Sequence, residues 1–250
     1  MPDQPDPIPA ATLVLFRDRV GGPPELLMVE RAKAMAFAGG AMVFPGGRID
    51  PDDHLLAERY AAFPDVAARI AAVRETLEEA GVGVGITPAP SPETLGEIRR
   101  GLHAGEPLGR ALRDNGLELD LAQLTPFARW LPAHLHTRVF DTLFFLARAP
   151  EGAEATVDAT ENVRLTWTTA QAMLDEVDAG RATAIFPTRR NLERLARFGS
   201  YADAVADAQA HPIRAVTPWE EERGGVRHLC IPDDLGYPIT AEVLSDAVRG

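Results

Sequence analysis

Residues 65–80, DVAARIAAVRETLEEA, constrain the fold of this chain more than any other segment. Four apolar residues recur at i, i+4, i+7 and i+11, which is the spacing of a helix that buries one side. They are Val66, Ile70, Val73 and Leu77. Asp65 is a candidate N-cap, and Gly81 is a candidate for the residue that ends the helix. The segment therefore predicts a helix that packs one face against a core.

The other side of this helix carries three glutamates, Glu75, Glu78 and Glu79. Two of them, Glu75 and Glu79, are like charges at i, i+4, which costs roughly 0.2–0.5 kcal/mol. Carboxylates near a helix C-terminus also oppose the helix dipole. Folding alone gives no reason for this arrangement, whereas a hard divalent cation such as Mg²⁺ takes oxygen ligands of this kind. A solvated acidic helix face is the alternative interpretation.

A longer pattern surrounds the three glutamates. It resembles the signature of the Nudix hydrolases, G-x5-E-x7-R-E-U-x-E-E-x-G-U, in which U is an aliphatic residue. The residues that match are Gly47, Arg74, Glu75, Glu78, Glu79, Gly81 and Val82. Thr76 stands where the signature has an aliphatic residue.

The signature is interrupted by an insertion. Twenty-six residues separate Gly47 from Arg74, which is thirteen more than the family spacing. The first glutamate of the signature therefore has two candidate counterparts. Counting forward from Gly47 leads to Asp53, and counting back from Arg74 leads to Val66.

An insertion at this place resembles the branch of the superfamily that hydrolyses coenzyme A and acyl-coenzyme A. That branch has an upstream signature, roughly L-L-T-x-R-S/A-x3-R-x3-G-x3-F-P-G-G. Residues in register with it are Leu27, Arg31, Ala32, Gly40 and Phe44–Gly47, whereas Met28, Val29 and Ala36 depart from it. The resemblance continues through Trp130–Pro132, Arg138–Phe145, Glu161 and Trp167, and covers roughly residues 10–198.

The resemblance implies a set of site residues. Glu75, Glu78 and Glu79 would bind Mg²⁺ or Mn²⁺, with Glu75 counted among the catalytic residues. The turn at Gly46–Gly47 would lend a backbone carbonyl, and Arg74 would orient the acidic cluster through ion pairs. The cluster as a whole would then bring metal ions to the diphosphate of a nucleotide.

Three residues outside the helix complete the predicted site. Glu161 is the candidate general base, because such a base must lie within hydrogen-bond reach of the attacking water. Arg31 and then Arg138 are the candidate phosphate contacts, since a guanidinium binds phosphate in a bidentate manner. Each of the three is alternatively an ordinary surface charge.

Charge and cysteine content limit the partners of this chain. The 250 residues carry 25 basic and 37 acidic side chains, a net charge of −12, which argues against nucleic acid as a partner. No stretch approaches 18 consecutive apolar residues, so no membrane span is expected. The first ten residues lack the basic region of a signal peptide. A single cysteine, Cys230, indicates a reducing compartment, and the expected location is cytoplasmic.

The order of apolar runs and helical segments predicts an α/β fold. Strands are expected at 11–16, 25–30, 41–44, 125–131, 140–148 and 162–167, and further helices at 93–102, 108–115, 168–178 and 188–198. The resemblance implies a single Nudix domain over residues 1–250, an α/β/α sandwich with a mixed central sheet. Residues 90–122 are interpreted as a helical insert. Residues 199–250 are interpreted as an extension that caps the pocket or forms a homodimer contact.

The leading functional hypothesis is hydrolysis of the diphosphate in coenzyme A or an acyl-coenzyme A. The same chemistry on ADP-ribose, NADH or another nucleoside diphosphate derivative is the close alternative, because loops outside the signature choose the substrate. A non-catalytic module that senses a nucleotide belongs to a different class, as does a scaffold protein.

Histidines and aromatic residues receive a more modest interpretation. His134 and His136 would line the rim of the site rather than bind zinc, because no third ligand is evident nearby. Phe37, Phe44 and Trp130 are interpreted as core residues in preference to stacking platforms.

Overall fold

The computed structural model describes residues 6–33, 38–60, 62–132, 139–157 and 162–247. The helices are α1 (Pro51–Ala57), α2 (Val66–Ala80), α3 (Pro92–His103), α4 (Leu108–Asp114), α5 (Ala170–Asp178), α6 (Phe186–Leu195), α7 (Tyr201–Ala210) and α8 (Leu244–Ala247). The longer strands are β1 (Ile8–Arg17), β2 (Glu25–Arg31), β7 (Thr125–Trp130), β8 (Phe140–Arg148), β9 (Asn162–Thr168), β11 (Trp219–Arg223) and β12 (Val226–Cys230). The shorter strands are β3 (Met42–Val43), β4 (Gly46–Arg48), β5 (Ile86–Thr87), β6 (Glu118–Leu119), β10 (Ala215–Val216) and β13 (Ala241–Val243).

Eight strands form one mixed sheet. Its main path runs β10-β7-β8-β1-β2-β3, with β4 paired to β1 and β9 paired to β2. Strand β1 is parallel to β8 and antiparallel to both β2 and β4. The apolar segment 140–148 was predicted to be a central strand. This prediction is confirmed, because β8 lies between β7 and β1.

Alternate residues of β1 belong to two different cores. Leu13 and Leu15 lie in a core shared with α2, α3 and α4, whereas Val14 and Phe16 lie in a core shared with α5, α6 and α7. Helices therefore cover both faces of the sheet, which explains why β1 is apolar at consecutive positions. The predicted α/β/α sandwich with a mixed central sheet is confirmed.

The helical insert and the C-terminal extension contact different parts of the fold. Helices α3 and α4 form the insert and pack on the side of α2. In the extension, α7 joins the second core, and β10 adds a parallel strand to β7. Strands β11, β12 and β13 form a separate antiparallel sheet. No helix in the described ranges is long and apolar enough to cross a membrane.

Helix α2 differs in two respects from the prediction. Gly81 ends it in the left-handed conformation, with its N–H bonded to Leu77, as expected. Asp65 precedes the helix, but with φ 54° its side chain makes no capping hydrogen bond. Eleven of the fifteen residues are buried, so the side away from the apolar stripe is covered as well. Thr76 is tolerated on this helix because its hydroxyl donates to the carbonyl of Ala72 at 2.7 Å.

Helix α6 begins earlier than predicted. The expected start was Thr188, directly after Pro187, but the helix starts at Phe186 and includes that proline in its first turn. Proline is accepted there because the first N–H groups of a helix have no partner within it.

Candidate active site

The bend falls at Pro45, one residue before the predicted turn at Gly46–Gly47, so both glycines belong to strand β4, which lies against helix α2. A Cβ atom at Gly46 would lie 2.5 Å from the carbonyl oxygen of Ala11, and one at Gly47 would lie 2.3 Å from Oε1 of Glu75. Only glycine, which has no Cβ, allows approaches this close. The N–H of Gly46 also donates a 3.0 Å hydrogen bond to Oε2 of Glu79. The two glycines therefore lie against two of the three glutamates, Glu79 and Glu75.

Arg74 connects most of the acidic side chains around α2. Its Nε and Nη2 donate to the two carboxylate oxygens of Asp53, at 3.0 and 2.8 Å. Its Nη1 donates to Glu75 at 2.8 Å and to Glu78 at 3.3 Å. Nη2 also donates to the carbonyl of Arg48 at 2.9 Å. All five N–H groups of the guanidinium are thus used, which holds the two glutamates in a defined orientation.

Of the two candidates for the first glutamate of the signature, only Asp53 contacts Arg74. Asp53 is 2% exposed, and its Oδ2 also accepts from the N–H of Asp50 at 2.9 Å. Val66 instead packs against the apolar core on the α2 side of the sheet. The thirteen additional residues therefore lie after Asp53, in the rest of α1 and the connection to α2.

Burial shifts the titration of two glutamates. It raises the pKa of Glu79 to about 8, with a further increase from Glu75 and partial offsets from the N–H of Gly46 and from Arg31. It raises the pKa of Glu75 to about 7, where Arg74 opposes the shift. Both shifts come mainly from burial, so a cation bound beside these carboxylates would favour their ionised forms.

The placement of these carboxylates fits a divalent cation. All three α2 glutamates line one cavity, and carboxylate oxygens are ligands that such cations prefer. Among the residues that the structure describes, no group of three or more His, Cys, Asp or Glu side chains is already arranged as a metal site. Glu75 and Glu78 share Nη1 of Arg74, so a metal would compete with that arginine for their oxygens.

The cavity has a volume of about 820 Å³, within the range of small-molecule sites. Its polar lining includes the three glutamates, Gly46, Gly47 and Arg31. Its apolar wall consists of Val43, Phe44, Trp130, Phe140, Phe144, Ile185 and Pro187. Phe44 and Trp130 are 3% and 1% exposed, so they are core residues, as predicted, that also form the wall of the cavity.

Arg31 and Asn162 lie next to Glu79. Nη1 of Arg31 is 3.9 Å from Oε1 of Glu79, and the arginine side chain lines the cavity. Asn162 is fully buried, pairs with Arg31 across strands β2 and β9, and favours the ionised form of Glu79. Only its position directly after Glu161 marks Asn162 in the sequence.

Several predicted residues lie outside the described part of the chain. They are Glu161, Arg138, His134, His136 and Phe37. The predicted roles of Glu161 and Arg138, and the predicted carbonyl ligand at Gly46–Gly47, remain predictions.

Comparison with known proteins adds relatives of similar organisation. No family model matches the chain. A crystal structure of a NUDIX hydrolase from Alicyclobacillus acidocaldarius is 31% identical, with a TM-score of 0.70, over 80% of this chain and 96% of that one. The acyl-coenzyme A diphosphatase NUDT19 of Homo sapiens is 28% identical over 84% of this chain and 72% of its own length. Putative nudix hydrolase 7 of Caenorhabditis elegans is 29% identical over 69% and 56%.

Proposed function

The chain belongs to the Nudix hydrolase superfamily, and from this premise we propose that it is a pyrophosphohydrolase of coenzyme A or acyl-coenzyme A. Water would attack one phosphorus of the diphosphate, and the bond to the bridging oxygen would break. The observation that carries this proposal is the set of three α2 carboxylates on one cavity of about 820 Å³, together with Gly46 and Gly47 of strand β4.

The three glutamates are the proposed ligands of Mg²⁺ or Mn²⁺. When bound, the metal would supply positive charge against the phosphates and make the attacking water more acidic. Glu79 is held in place by the N–H of Gly46, and Glu75 and Glu78 are oriented by Arg74. These contacts reduce the rearrangement that binding requires, because the side chains are already directed at the cavity.

Arg31 is the proposed phosphate contact within the cavity. Its guanidinium lies 3.9 Å from Glu79, close enough for one phosphate to be shared between arginine and metal. Glu161 remains the proposed general base, and Asn162, which follows it in the sequence, lies beside Glu79. Arg138 is proposed as a second phosphate contact, two residues before the cavity-lining Phe140.

Two observations favour a coenzyme A type of substrate. The relative NUDT19 is named as an acyl-coenzyme A diphosphatase, and the similarity extends over 84% of this chain. The upstream signature resembles that of the same branch, and its Arg31 lines the cavity. An apolar wall of aromatic and aliphatic side chains also suits a substrate with a pantetheine or acyl part.

A turnover panel analysed by mass spectrometry tests this proposal. It compares coenzyme A, acetyl- and long-chain acyl-coenzyme A, dephospho-coenzyme A, ADP-ribose, NADH and diadenosine polyphosphates, each with Mg²⁺ and with Mn²⁺. We expect 3′,5′-ADP to be released from the coenzyme A compounds. The Glu78→Gln variant should lose at least about a hundredfold in kcat/KM, because a neutral amide is a poor ligand for these cations.

Other outcomes would redirect the assignment. Preferential release of AMP from ADP-ribose or NADH would retain the chemistry and replace the substrate. If turnover is unchanged in Glu78→Gln, the assignment of Glu78 as a metal ligand is wrong. Absence of turnover with every compound would favour a nucleotide-sensing role.

A further inference from the structure

Helix α3 of the insert lies antiparallel along α2 and its C-terminal end. A Cβ atom at Gly83, just beyond α2, would lie 2.5 Å from Cδ2 of Leu95. Four residues further along α3, Nη2 of Arg99 donates to the carbonyl of Glu79 at 3.1 Å. Moving four residues along α3, from Leu95 to Arg99, thus moves the contact back from Gly83, beyond α2, to Glu79 in its last turn.

Arg99 fixes this register at the end of the helix that carries the glutamates. Its Nε donates to the carbonyl of Glu78 at 2.8 Å. Its guanidinium also donates to the side chain and the carbonyl of Thr156, at 2.7 and 2.9 Å. The last carbonyls of a helix have no partner within it, so a cationic donor stabilises them. The insert is therefore attached to the carboxylate-bearing helix at the turn of Glu78 and Glu79.

Extended by one more turn of each helix, the same register predicts that His103 lies near Glu75. His103 follows Arg99 by four residues, so both side chains lie on the same face of α3. The next step of four residues leads back from Glu79 to Glu75 on α2. Consistent with this register, His103 lines the cavity together with the three glutamates.

His103 has no structural role that would explain its position. It is the last residue of α3 and is exposed, whereas Ile98 and Leu102 of the same helix are buried. No hydrogen bond or ion pair of its imidazole is found within the described ranges. An imidazole in this position offers an N–H donor to whatever occupies the cavity beside Glu75.

We infer that His103 is a substrate-binding residue, which donates a hydrogen bond to an oxygen of the diphosphate. This inference rests on the proposed function, because the diphosphate would lie against the proposed metal-binding glutamates, which line the same cavity as His103. The oxygens of a diphosphate are negatively charged, and charge strengthens such a hydrogen bond. The helical insert would thus contribute directly to the active site, although it lies outside the family signature.

The test is the kinetics of His103→Ala and His103→Gln. We expect KM to rise about tenfold in His103→Ala, the loss of one hydrogen bond to a charged group, with kcat changed less than KM. The rise should be equal for coenzyme A and dephospho-coenzyme A, which share the diphosphate. The Mn²⁺ concentration that gives half-maximal activity should stay the same. His54→Ala is the matched control, since His54 is an exposed helical histidine that does not line the cavity.

Three results would overturn the inference. One is an unchanged KM in His103→Ala, and another is a rise confined to substrates with a 3′-phosphate. The third is a higher Mn²⁺ requirement, which would make His103 a metal ligand.

A second experiment separates this inference from the proposed function. Calorimetry in the presence of Mg²⁺ measures how tightly the protein binds an analogue of the substrate in which a methylene group replaces the bridging oxygen of the diphosphate. Weaker binding to His103→Ala than to the parent protein would support the inference even without turnover. Equal binding would refute it alone. No binding to the parent protein would refute both.

Discussion

Helices α2 and α6 both bury arginines among carboxylates, but the balance of charge differs between them. On α2, Arg74 alone contacts four carboxylates, those of Asp50, Asp53, Glu75 and Glu78. On α6, two arginines contact three carboxylates; the residues are Arg189, Arg190, Asp178, Glu193 and Glu242. All members of the α2 group except Asp53 line the cavity, whereas none of the α6 group does.

This difference separates a site from a structural contact. On α6, the near balance of charge attaches strand β13 of the C-terminal extension, through Glu242, to the helix. On α2, carboxylates outnumber the arginines that contact them, and the three glutamates among them line the cavity in which we propose that a cation binds. Buried arginines by themselves therefore do not distinguish the two groups, whereas the position of the α2 glutamates on a cavity does.

Exchanging one arginine in each group gives the largest expected effects. Arg74→Met should lower kcat/KM by at least about a hundredfold, because Glu75 and Glu78 lose their common donor. Arg190→Met should leave kcat/KM unchanged and lower the free energy of unfolding by about 1–3 kcal/mol, because the buried Glu193 loses its 2.8 Å donor and keeps only Arg189. Steady-state kinetics and urea unfolding measure the two effects.

The lysine variants at both positions keep the charge and serve if a methionine variant fails to fold. Since lysine cannot form the bidentate contact with Asp53, Arg74→Lys should still reduce activity. Loss of activity in a folded Arg190 variant would contradict the division between site and structural contact.

Adding a methyl group at Gly47 should have an intermediate effect on activity and stability. In Gly47→Ala the added Cβ would displace the carboxylate of Glu75, which lies 2.3 Å away. We expect kcat/KM to fall about tenfold and stability to fall by about 1–3 kcal/mol. Gly22→Ala is the matched control, because a Cβ there meets nothing within 4 Å. Equal kcat/KM of the two variants would mean that activity does not depend on the position of the Glu75 carboxylate.

The smallest expected effect is a pH dependence of the metal-free protein. Because the folded state raises the pKa of Glu79 to about 8, it favours the protonated form. The resulting stabilisation is complete below the ordinary pKa of about 4.5 and is lost as the pH rises through about 8. The melting temperature without metal should therefore fall between about pH 6 and pH 9.

Scanning calorimetry over this pH range measures the effect. Glu79→Gln, which stays neutral, should flatten the slope, and saturating Mg²⁺ should raise the melting temperature most at high pH. A slope that is identical in Glu79→Gln would assign the pH dependence to other groups.

Local patterns predicted the elements better than their contacts. The period of residues 66–80 and Gly81 gave the helix and its end, and the apolar segment 140–148 coincides with strand β8. The prediction that the Asp65 side chain caps the helix was wrong, because the residue adopts a left-handed backbone conformation and makes no capping hydrogen bond. Two alternatives for the first glutamate of the signature were equal in sequence, and only the contact of Asp53 with Arg74 distinguished them.

The amino-acid sequence by itself indicated the helix with its three glutamates, the glycine of the signature before it, and the resemblance to the Nudix family. These features depend on residue type and on spacing within one or two elements, which a sequence displays directly. The tertiary structure decided that Asp53 pairs with Arg74, that Asn162 contacts Glu79, and that His103 lines the cavity. Those contacts join residues separated by insertions and by whole strands, and packing of the elements, rather than any local period, determines which of them meet.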